Sequence, residues 1–438
     1  MIKALINVRI YDYTNYIENG YIIFDEVILE VGQMNDFSNQ NYELIDGEGD
    51  LVIPGLVNGH THIYSTFARG MSVRFNPKDF QGILDDLWWK MDHSLDKDIV
   101  YYSAIVHAID SLKNGVTTLI DHHASGQDIL GTLNSLKEAV TETVGLRGAF
   151  AFETSDRFNI EACIEENLRF YKENQTAMAR GHFGLHASMS LSEETLKRVS
   201  DVLDNAPIHI HVAESELDQT DALKHYQERV VHRLKRHGLL TPKSILTHAL
   251  YVDQSEIDVI KAHDCVVALN VTSNMNNGVG LPDVMRFRKE GVPLIVGNDG
   301  ISTTVVTEYL YLLYSMHHKA STPVDFGLDD VLDIIRQTYR YASSLFEIKL
   351  GEIKKDFKAD FMRISYTPPT PMNTSNAFGH LFFGLFHSLR PKEVYINGLL
   401  KVEDGQVNSS LMELYEDAQT YAERLWDAIK KEEEKHES

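Results

Sequence analysis

From residue 51 onward, short β-rich runs alternate with longer segments of helical period, and this alternation restricts the possible folds more than any other feature. Eight runs can be counted: 51–58, 116–121, 146–152, 182–186, 208–212, 245–250, 266–271 and 293–297. The segments between them, such as 98–113 and 218–236, have helical length and spacing. A parallel sheet needs both faces covered, and eight βα units achieve this by closing into a barrel. The sequence therefore predicts an α/β fold, a (β/α)8 TIM barrel.

The two ends of the chain are strand-like instead. Residues 2–53 contain short strand candidates separated by Gly- and Asn-containing turns, and strand candidates return after about residue 350. We therefore expect a small second β region built from both termini, followed by an amphipathic helix. The predicted boundaries are 1–53 for its first part, 54–350 for the barrel, 351–409 for its second part and 410–438 for the helix.

Charge and cysteine content exclude several classes of function. The 438 residues carry a net charge of −23, which repels phosphate backbones and anionic lipid, so we expect neither nucleic acid nor a membrane as partner. No run of 18 apolar residues and no N-terminal signal pattern is present. The only cysteines, Cys163 and Cys265, form no CxxC pair, which disfavours a disulfide scaffold or a thiolate metal site. These features predict a cytoplasmic location.

Ionisable residues follow the predicted strands at the ends where barrel enzymes keep their active sites. His60 and His62 end the first strand, and their i, i+2 spacing on extended backbone points both imidazoles to one side. His211 ends the fifth strand and Asp299 follows the eighth. Three imidazoles and one carboxylate suit Zn²⁺ or Fe²⁺. His209 shares a strand face with His211, so the spacing alone leaves open which of the two binds metal.

Several strings together resemble the amidohydrolase superfamily, in its aminohydrolase (deaminase and chlorohydrolase) branch. They are residues 53–62 (IPGLVNGHTH), 211–214 (HVAE), 248–249 (HA), 273–278 (SNMNNG) and 298–300 (NDG), in the order of that superfamily. The strings at 87–89 (LWW), 121–125 (DHHAS) and 368–384 are most similar to the aminohydrolases called SsnA. The resemblance covers the whole chain except the last helix.

The resemblance implies a distorted (β/α)8 barrel with a composite β-sandwich from both termini. It also implies one divalent metal ion, with Zn²⁺ preferred over Fe²⁺, held by His60, His62, His211 and Asp299. His211 is preferred to His209 because Glu214 lies three residues beyond it, as in the superfamily. Members with two metals commonly use a carboxylated lysine on strand four, where this chain has none. Glu153 after strand three could bridge a second ion, and the sequence leaves this open.

The resemblance further implies hydrolytic deamination of a nitrogen heterocycle, with purine-like compounds favoured. In this scheme metal-bound hydroxide attacks the carbon that carries the amino group, and ammonia is released. Asp299 accepts the proton of the water, and His248 orients the nucleophile or polarises the group under attack. Glu214 protonates a ring nitrogen and passes protons to the leaving amine.

The substrate-binding residues are predicted from position along the chain. His186 ends strand four and His122 ends strand two, Trp89 lies in the long excursion after strand one, and Ser302 follows Asp299. A tryptophan could stack on a planar ring, although a tryptophan in a helix commonly belongs to the core.

The sequence is also compatible with a second enzymatic function, and the resemblance predicts an oligomeric state. A ring-opening cyclic-amide hydrolase would use the same groups, so the strand motifs do not separate it from a deaminase. An inactive relative that serves as a scaffold is disfavoured because all four ligands and Glu214 are present. By resemblance, we expect a homodimer that acts on a small heterocyclic molecule.

Overall fold

A computed structural model describes residues 2–437 of the chain. Its strands form three sheets, of eight, five and four strands. The strands are β1 (Lys3–Tyr11), β2 (Tyr16–Phe24), β3 (Ile28–Gln33), β4 (Glu43–Asp46), β5 (Leu51–Pro54), β6 (Leu56–Thr61), β7 (Val116–His123), β8 (Arg147–Phe152), β9 (Ala179–Gly181), β10 (Phe183–Ala187), β11 (Ile208–Val212), β12 (Ile245–His248), β13 (Val266–Leu269), β14 (Leu294–Val296), β15 (Phe361–Ile364), β16 (Glu393–Ile396) and β17 (Leu399–Val402).

Helices follow most of the central strands. The α-helices are α1 (Phe80–Ile83), α2 (Trp89–His93), α3 (Lys97–Lys113), α4 (Thr132–Lys137), α5 (Ile160–Glu173), α6 (Glu193–Val202), α7 (Glu216–Tyr226), α8 (Val230–Arg236), α9 (Gln254–Ala262), α10 (Val271–Asn276), α11 (Val284–Glu290), α12 (Val306–Ala320), α13 (Leu328–Phe346), α14 (Ala377–Gly379) and α15 (Ser409–Glu437). Short 3₁₀ turns occupy Met34–Asp36, Ile63–Ala68 and Ser188–Ser190, and π-helical turns occupy Leu84–Trp88, Glu138–Val144 and His380–Leu385.

The central strands β6 to β14 make the predicted barrel, with β9 and β10 as two parts of its fourth strand. Every residue in these strands is buried, as expected when both faces of a sheet are covered. A bridge from Thr154 to Leu185 joins the four-stranded sheet to the five-stranded one, and a bridge from Thr61 to Asp299 joins the first strand to the segment after the last. The (β/α)8 prediction is confirmed.

The eight-stranded sheet combines strands from both ends of the chain, in the order β17-β16-β15-β5-β1-β2-β3 with β4 beside β1. Strand β15 pairs antiparallel with β5, which carries the C-terminal strands onto the N-terminal ones. Buried side chains of this eight-stranded sheet form one cluster, in which Phe24 packs edge-to-face against Phe361 and Phe361 stacks on Tyr395. The prediction of a composite β region from both termini is also confirmed.

Residues 51–58, expected as one strand, form two. Strand β5 belongs to the composite sheet, and β6 begins the barrel after a break at Gly55. A side chain at Gly55 would have no room, since a Cβ there would lie 2.3 Å from Cγ2 of Thr117. The barrel strand therefore extends to Thr61, which places His60 inside it and His62 directly after it.

The chain divides into two compact units. One runs from the N-terminus to Asn58 and includes residues 109–118 and 303–412, and the other includes residues 59–108, 119–302 and the C-terminal residues from Glu413. All ten residues predicted for the site belong to the second unit. Among residues 2–437, no helix has the length and apolar character needed to cross a membrane.

Candidate active site

The four residues expected to bind metal lie together at the carboxyl ends of the barrel strands. Nε2 of His62 is 3.1 Å from Nε2 of His211 and 3.1 Å from Oδ1 of Asp299. Nε2 of His60 is 3.7 Å from the same oxygen, and the rings of His60 and His62 are 4.9 Å apart. His60, His62 and Asp299 can bring ligand atoms within 4.8 Å of one another, and His211 is within that distance of His60 and of His62 in two further groups, so a single ion held by all four stays a prediction.

The other ring nitrogen of each imidazole is already hydrogen-bonded. Nδ1 of His62 donates to the carbonyl of His122 at 2.6 Å, and Nδ1 of His211 donates to the carbonyl of His186 at 3.0 Å. When such an imidazole is neutral, a proton fixed on Nδ1 leaves the lone pair on Nε2, the atom that faces the cluster. These carbonyls orient the imidazoles as metal-binding histidines require.

His209 contacts the cluster through His60. Its Nε2 lies 2.8 Å from Nδ1 of His60, so the strand neighbour of His211 is hydrogen-bonded to another histidine of the cluster. Nε2 of His60 is buried and has no hydrogen-bond partner among the described residues. A buried nitrogen without a partner costs free energy unless something binds it. A divalent cation between His60, His62, His211 and Asp299 would satisfy it, and this donor set fits such an ion.

The negative charge of Asp299 makes the cluster favourable for a bound cation. Burial lowers the pKa of His60 to about 3 and holds the pKa of His211 well below its usual value, so both are neutral. Burial also acts to lower the pKa of His62, but the hydrogen bond and charge of Asp299 raise it to about 9. The pKa of Asp299 lies well below its usual range because His60 and His62 outweigh the effect of burial. An anionic Asp299 thus faces three imidazoles.

Glu214 and His248 lie beside this cluster. Oε2 of Glu214 is 3.5 Å from Nε2 of His248, and the Asn277 amide donates to Oε1 at 3.4 Å. Burial, and next the charge of Asp299, raise the pKa of Glu214 to about 8, so it carries a proton at neutral pH. The Asn274 amide lies 2.8 Å from Nδ1 of His248, and donation there places the imidazole proton on Nε2.

The segment that presents Asp299 is held by short contacts. The hydroxyl of Ser273 donates to Oδ2 at 2.6 Å, and the backbone N–H of Gly300 donates to Oδ1 at 2.9 Å. The backbone of Asp299 has φ of +56°, and that of His248 has φ of +71°. Left-handed backbone is uncommon in residues with a Cβ and concentrates at functional sites.

A cavity of about 800 Å³, including its open mouth, lies over these groups. Its aromatic and aliphatic walls come from Tyr64, Phe80, Leu84, Trp88, Trp89 and Ile301. Among the predicted substrate contacts, His186 and Trp89 line it. His122 and Ser302 are not among its lining residues within the described chain: His122 is fully buried, with Nε2 3.0 Å from the His209 carbonyl, and the Ser302 carbonyl accepts a hydrogen bond from Asn298.

Glu153 occupies one side of the cavity floor. Its Oε1 lies 3.2 Å from Nδ1 of His122 and 3.5 Å from Nδ1 of His62, and its Oε2 lies 3.8 Å from Nη2 of Arg157. Burial acts to raise the pKa of Glu153, but His186, His122 and His62 hold it well below its usual range. His62, His122, Glu153 and His211 can bring ligand atoms within 4.8 Å of one another, so a bridging role for Glu153 stays a prediction.

Some residues of the site were not identified from the sequence. Ser273 and Asn274 belong to the 273–278 string, whose resemblance was noted without a role for either residue. Asp92 lines the cavity and pairs with Nη1 of Arg157 at 2.8 Å, and no pattern marks it. Their roles depend on contacts between distant segments.

Comparison with known proteins identifies the family of the chain. The amidohydrolase family model matches residues 51–401. A 5′-deoxyadenosine deaminase of Methanopyrus kandleri is 27% identical over 419 residues, covering 93% of this chain and 94% of the relative. A 5′-deoxyadenosine deaminase of Methanocaldococcus jannaschii is 25% identical over 410 residues, covering 90% of this chain and 93% of the relative.

Solved structures show the same fold. An adenosine deaminase of Xanthomonas campestris with bound zinc has a TM-score of 0.82 at 18% identity, covering 96% of this chain and 98% of that one. The atrazine chlorohydrolase of Arthrobacter aurescens, complexed with zinc, has a TM-score of 0.80 at 19% identity, covering 96% and 99%. The narrower resemblance to SsnA stays a prediction. Because the family model spans most of the sequence, the chain belongs to the amidohydrolase family.

Proposed function

We propose that this protein is a metal-dependent deaminase that hydrolyses the exocyclic amino group of a purine-like heterocycle. The observation that carries the proposal is that Nε2 of His248 lies 3.5 Å from Oε2 of Glu214 and 3.8 Å from Oδ2 of Asp299, and that both carboxylates line one cavity. A deaminase needs an acid for the ring nitrogen and a base for water at one site. The relatives named 5′-deoxyadenosine deaminases make adenosine-type nucleosides the first candidates.

His60, His62, His211 and Asp299 would hold the metal ion, with zinc as our first choice. Nitrogen and oxygen donors of this kind suit Zn²⁺, and the zinc-containing structures of similar fold support it. A bound divalent cation supplies Lewis acidity, which makes water nucleophilic at neutral pH.

We assign the proton transfers to Asp299 and Glu214. Asp299, ionised, accepts a proton from the attacking water, and the Nε2–H of His248 orients the oxygen. Glu214 gives its proton to the ring nitrogen, takes the second proton of the former water from the tetrahedral intermediate and passes it to the departing amine, and the proton held by Asp299 then restores Glu214. The products are ammonia and the heterocycle with a carbonyl in place of the amino group.

The cavity walls explain how a planar ring would be held. Trp88, Trp89 and Phe80 present aromatic surface, and planar heterocycles stack on such side chains. The guanidinium of Arg157 lies 4.8 Å from the Trp89 ring, which holds that indole in place. His186, with Nδ1 2.6 Å from the Ser190 hydroxyl, offers its other nitrogen to a polar substituent.

The discriminating experiment is ammonia release from a substrate panel by zinc-loaded protein. The panel contains 5′-deoxyadenosine, adenosine, guanine, 8-oxoguanine, cytosine and melamine. Glu214→Gln removes the acid and should lower kcat by about 10²- to 10⁴-fold. Glu216→Gln, an exposed carboxylate two residues away, is the matched control and should leave kcat unchanged. Ammonia from no member of the panel would refute the proposal.

A ring-opening cyclic-amide hydrolase is the second candidate, favoured by Glu153 beside His122 and His62. Elemental analysis separates the two, because a bridging Glu153 predicts two ions per chain and the deaminase proposal predicts one. Consumption of a cyclic amide substrate without release of ammonia would support the second candidate.

We also propose that the enzyme works as a homodimer in the cytoplasm, with neither nucleic acid nor a membrane as partner. Both cysteines are free and buried, as suits a reducing compartment, and the net charge is −23. Light scattering during gel filtration tests the dimer.

A further inference from the structure

Asp218 is a buried carboxylate in the first turn of α7 that connects two strand ends. Its Oδ1 accepts the backbone N–H of Met189 at 3.1 Å, and its Oδ2 accepts the backbone N–H of Ala213 at 2.8 Å. Met189 follows β10 and Ala213 follows β11. The side chain reaches the edge of the cavity, and the residue is only 3% exposed.

The turn at Ala213 depends on this carboxylate. Ala213 has φ of +47°, a left-handed conformation that is unfavourable for a residue with a Cβ. Ala213 is completely buried, so its N–H cannot find a water partner. Without the Asp218 oxygen that N–H would be unpaired, and the chain could lower its free energy by leaving the left-handed conformation.

This turn sets the direction of Glu214, the next residue. The side-chain contacts of Glu214 are long, at 3.4 Å from Asn277 and 3.5 Å from His248, and contacts of that length orient a carboxylate weakly. His211, by contrast, lies within β11 and is fixed through its own Nδ1. The backbone turn therefore controls Glu214 but not the neighbouring metal ligand.

We propose that Asp218 is a positioning residue, which locks the left-handed turn at Ala213 so that Glu214 faces His248 and the bound substrate. The inference rests on the proposed function, in which Glu214 is the acid. It predicts that loss of the Asp218 carboxylate slows proton transfer without releasing metal.

The test compares Asp218→Asn with a matched control. An amide has one oxygen, so its NH₂ must face one of the two backbone N–H groups. We expect kcat to fall by about 10- to 100-fold, as for an angstrom-scale displacement of a reacting group, with KM changed less and zinc content unchanged. Should Asp218→Asn fail to fold, Asp218→Glu moves the carboxylate by one methylene and should give the same loss of kcat.

The control is Glu166→Gln. Glu166 is a fully buried carboxylate of α5 that also accepts two backbone N–H groups, from Gly131 at 2.6 Å and Leu133 at 3.0 Å. Both variants should have a lower Tm, but only the variant at Asp218 should lose kcat. A kcat within about twofold of wild type, or an equal loss in both variants, would overturn the inference.

A readout without turnover keeps this test separate from the proposed function. If the wild-type enzyme deaminates no compound in the panel, the proposed function fails and crystal structures of zinc-loaded wild type and Asp218→Asn decide. Movement of the Glu214 carboxylate away from His248 in the variant supports the positioning role. An unchanged Glu214 in that structure refutes it.

Discussion

Gly297 lies where the first and last barrel strands meet, and replacing it with alanine should damage both stability and the site. A Cβ there would lie 2.4 Å from the backbone N and O of His60 and 2.7 Å from its Cβ. Its backbone φ lies outside the left-handed region, so the conflict is steric alone. The two nearest atoms belong to the backbone, which cannot turn away as a flexible side chain can.

The size of the effect follows from these distances. Reaching ordinary contact at 3.4 Å requires the strands to separate by about 1 Å. Overpacking of this kind costs about 1–3 kcal/mol. Separation also stretches the hydrogen bonds from the N–H groups of Asn298 and Asp299 to the His60 carbonyl, now 3.0 and 3.1 Å, at about 0.5–1.5 kcal/mol each. The expected loss in free energy of unfolding is about 2–6 kcal/mol.

The same displacement separates His60 from Asp299, so zinc affinity should fall by at least about tenfold. Urea denaturation and zinc titration measure the two effects. Gly379→Ala is the matched control: Gly379 is helical, with φ of −60°, and no atom lies within 4 Å of its added Cβ. It should stabilise the protein by about 0.4–1 kcal/mol. A Gly297→Ala protein within about 0.5 kcal/mol of wild type, with normal zinc affinity, would show that strand closure does not constrain the site.

Three further predictions concern single contacts. Asn274→Ala removes the amide from Nδ1 of His248, and kcat should fall by about 10- to 100-fold with little change in KM in steady-state assays. Trp426→Phe removes the indole N–H bond to the Phe67 carbonyl, now 2.7 Å, and should cost about 1 kcal/mol in chemical denaturation. Burial acts to raise the pKa of Glu193, but three basic side chains lower it to about 2 from 4.5. Its contribution to stability is therefore present above pH 4.5 and lost as the pH falls toward 2, and thermal melts of Glu193→Gln should show a weaker decline over that interval.

The fold and the main cluster could be predicted because they depend on local patterns. Alternation of strand and helix period specifies the barrel, and the i, i+2 spacing of His60 and His62 at a strand end specifies a shared direction. A parallel barrel then brings all carboxyl strand ends to one rim, so His211 and Asp299 follow without knowledge of their contacts.

The cavity wall could not be predicted with the same certainty. Trp88 and Trp89 both line the cavity, although neighbours on an α-helix point about 100° apart. Trp88 ends the π-helical turn Leu84–Trp88 and Trp89 begins α2, so the helical register changes between them. Periodicity in the sequence gives no sign of a π turn, which depends on how the segment packs.

The strand ends also use backbone conformations that residue type does not reveal. Ala213, His248, Ala249 and Asp299 all have positive φ, and all follow or end strands five, six and eight. Sequence rules assign glycine to such positions, so the residue types at these four positions do not predict a positive φ. The turns interlock, because the N–H of Ala249 donates to the Val212 carbonyl at 2.9 Å and the N–H of Tyr251 to the Ala213 carbonyl at 3.2 Å. Each strained turn is thus held by the neighbouring strand end, and the direction of Glu214, His248 and Asp299 is a property of the assembled rim.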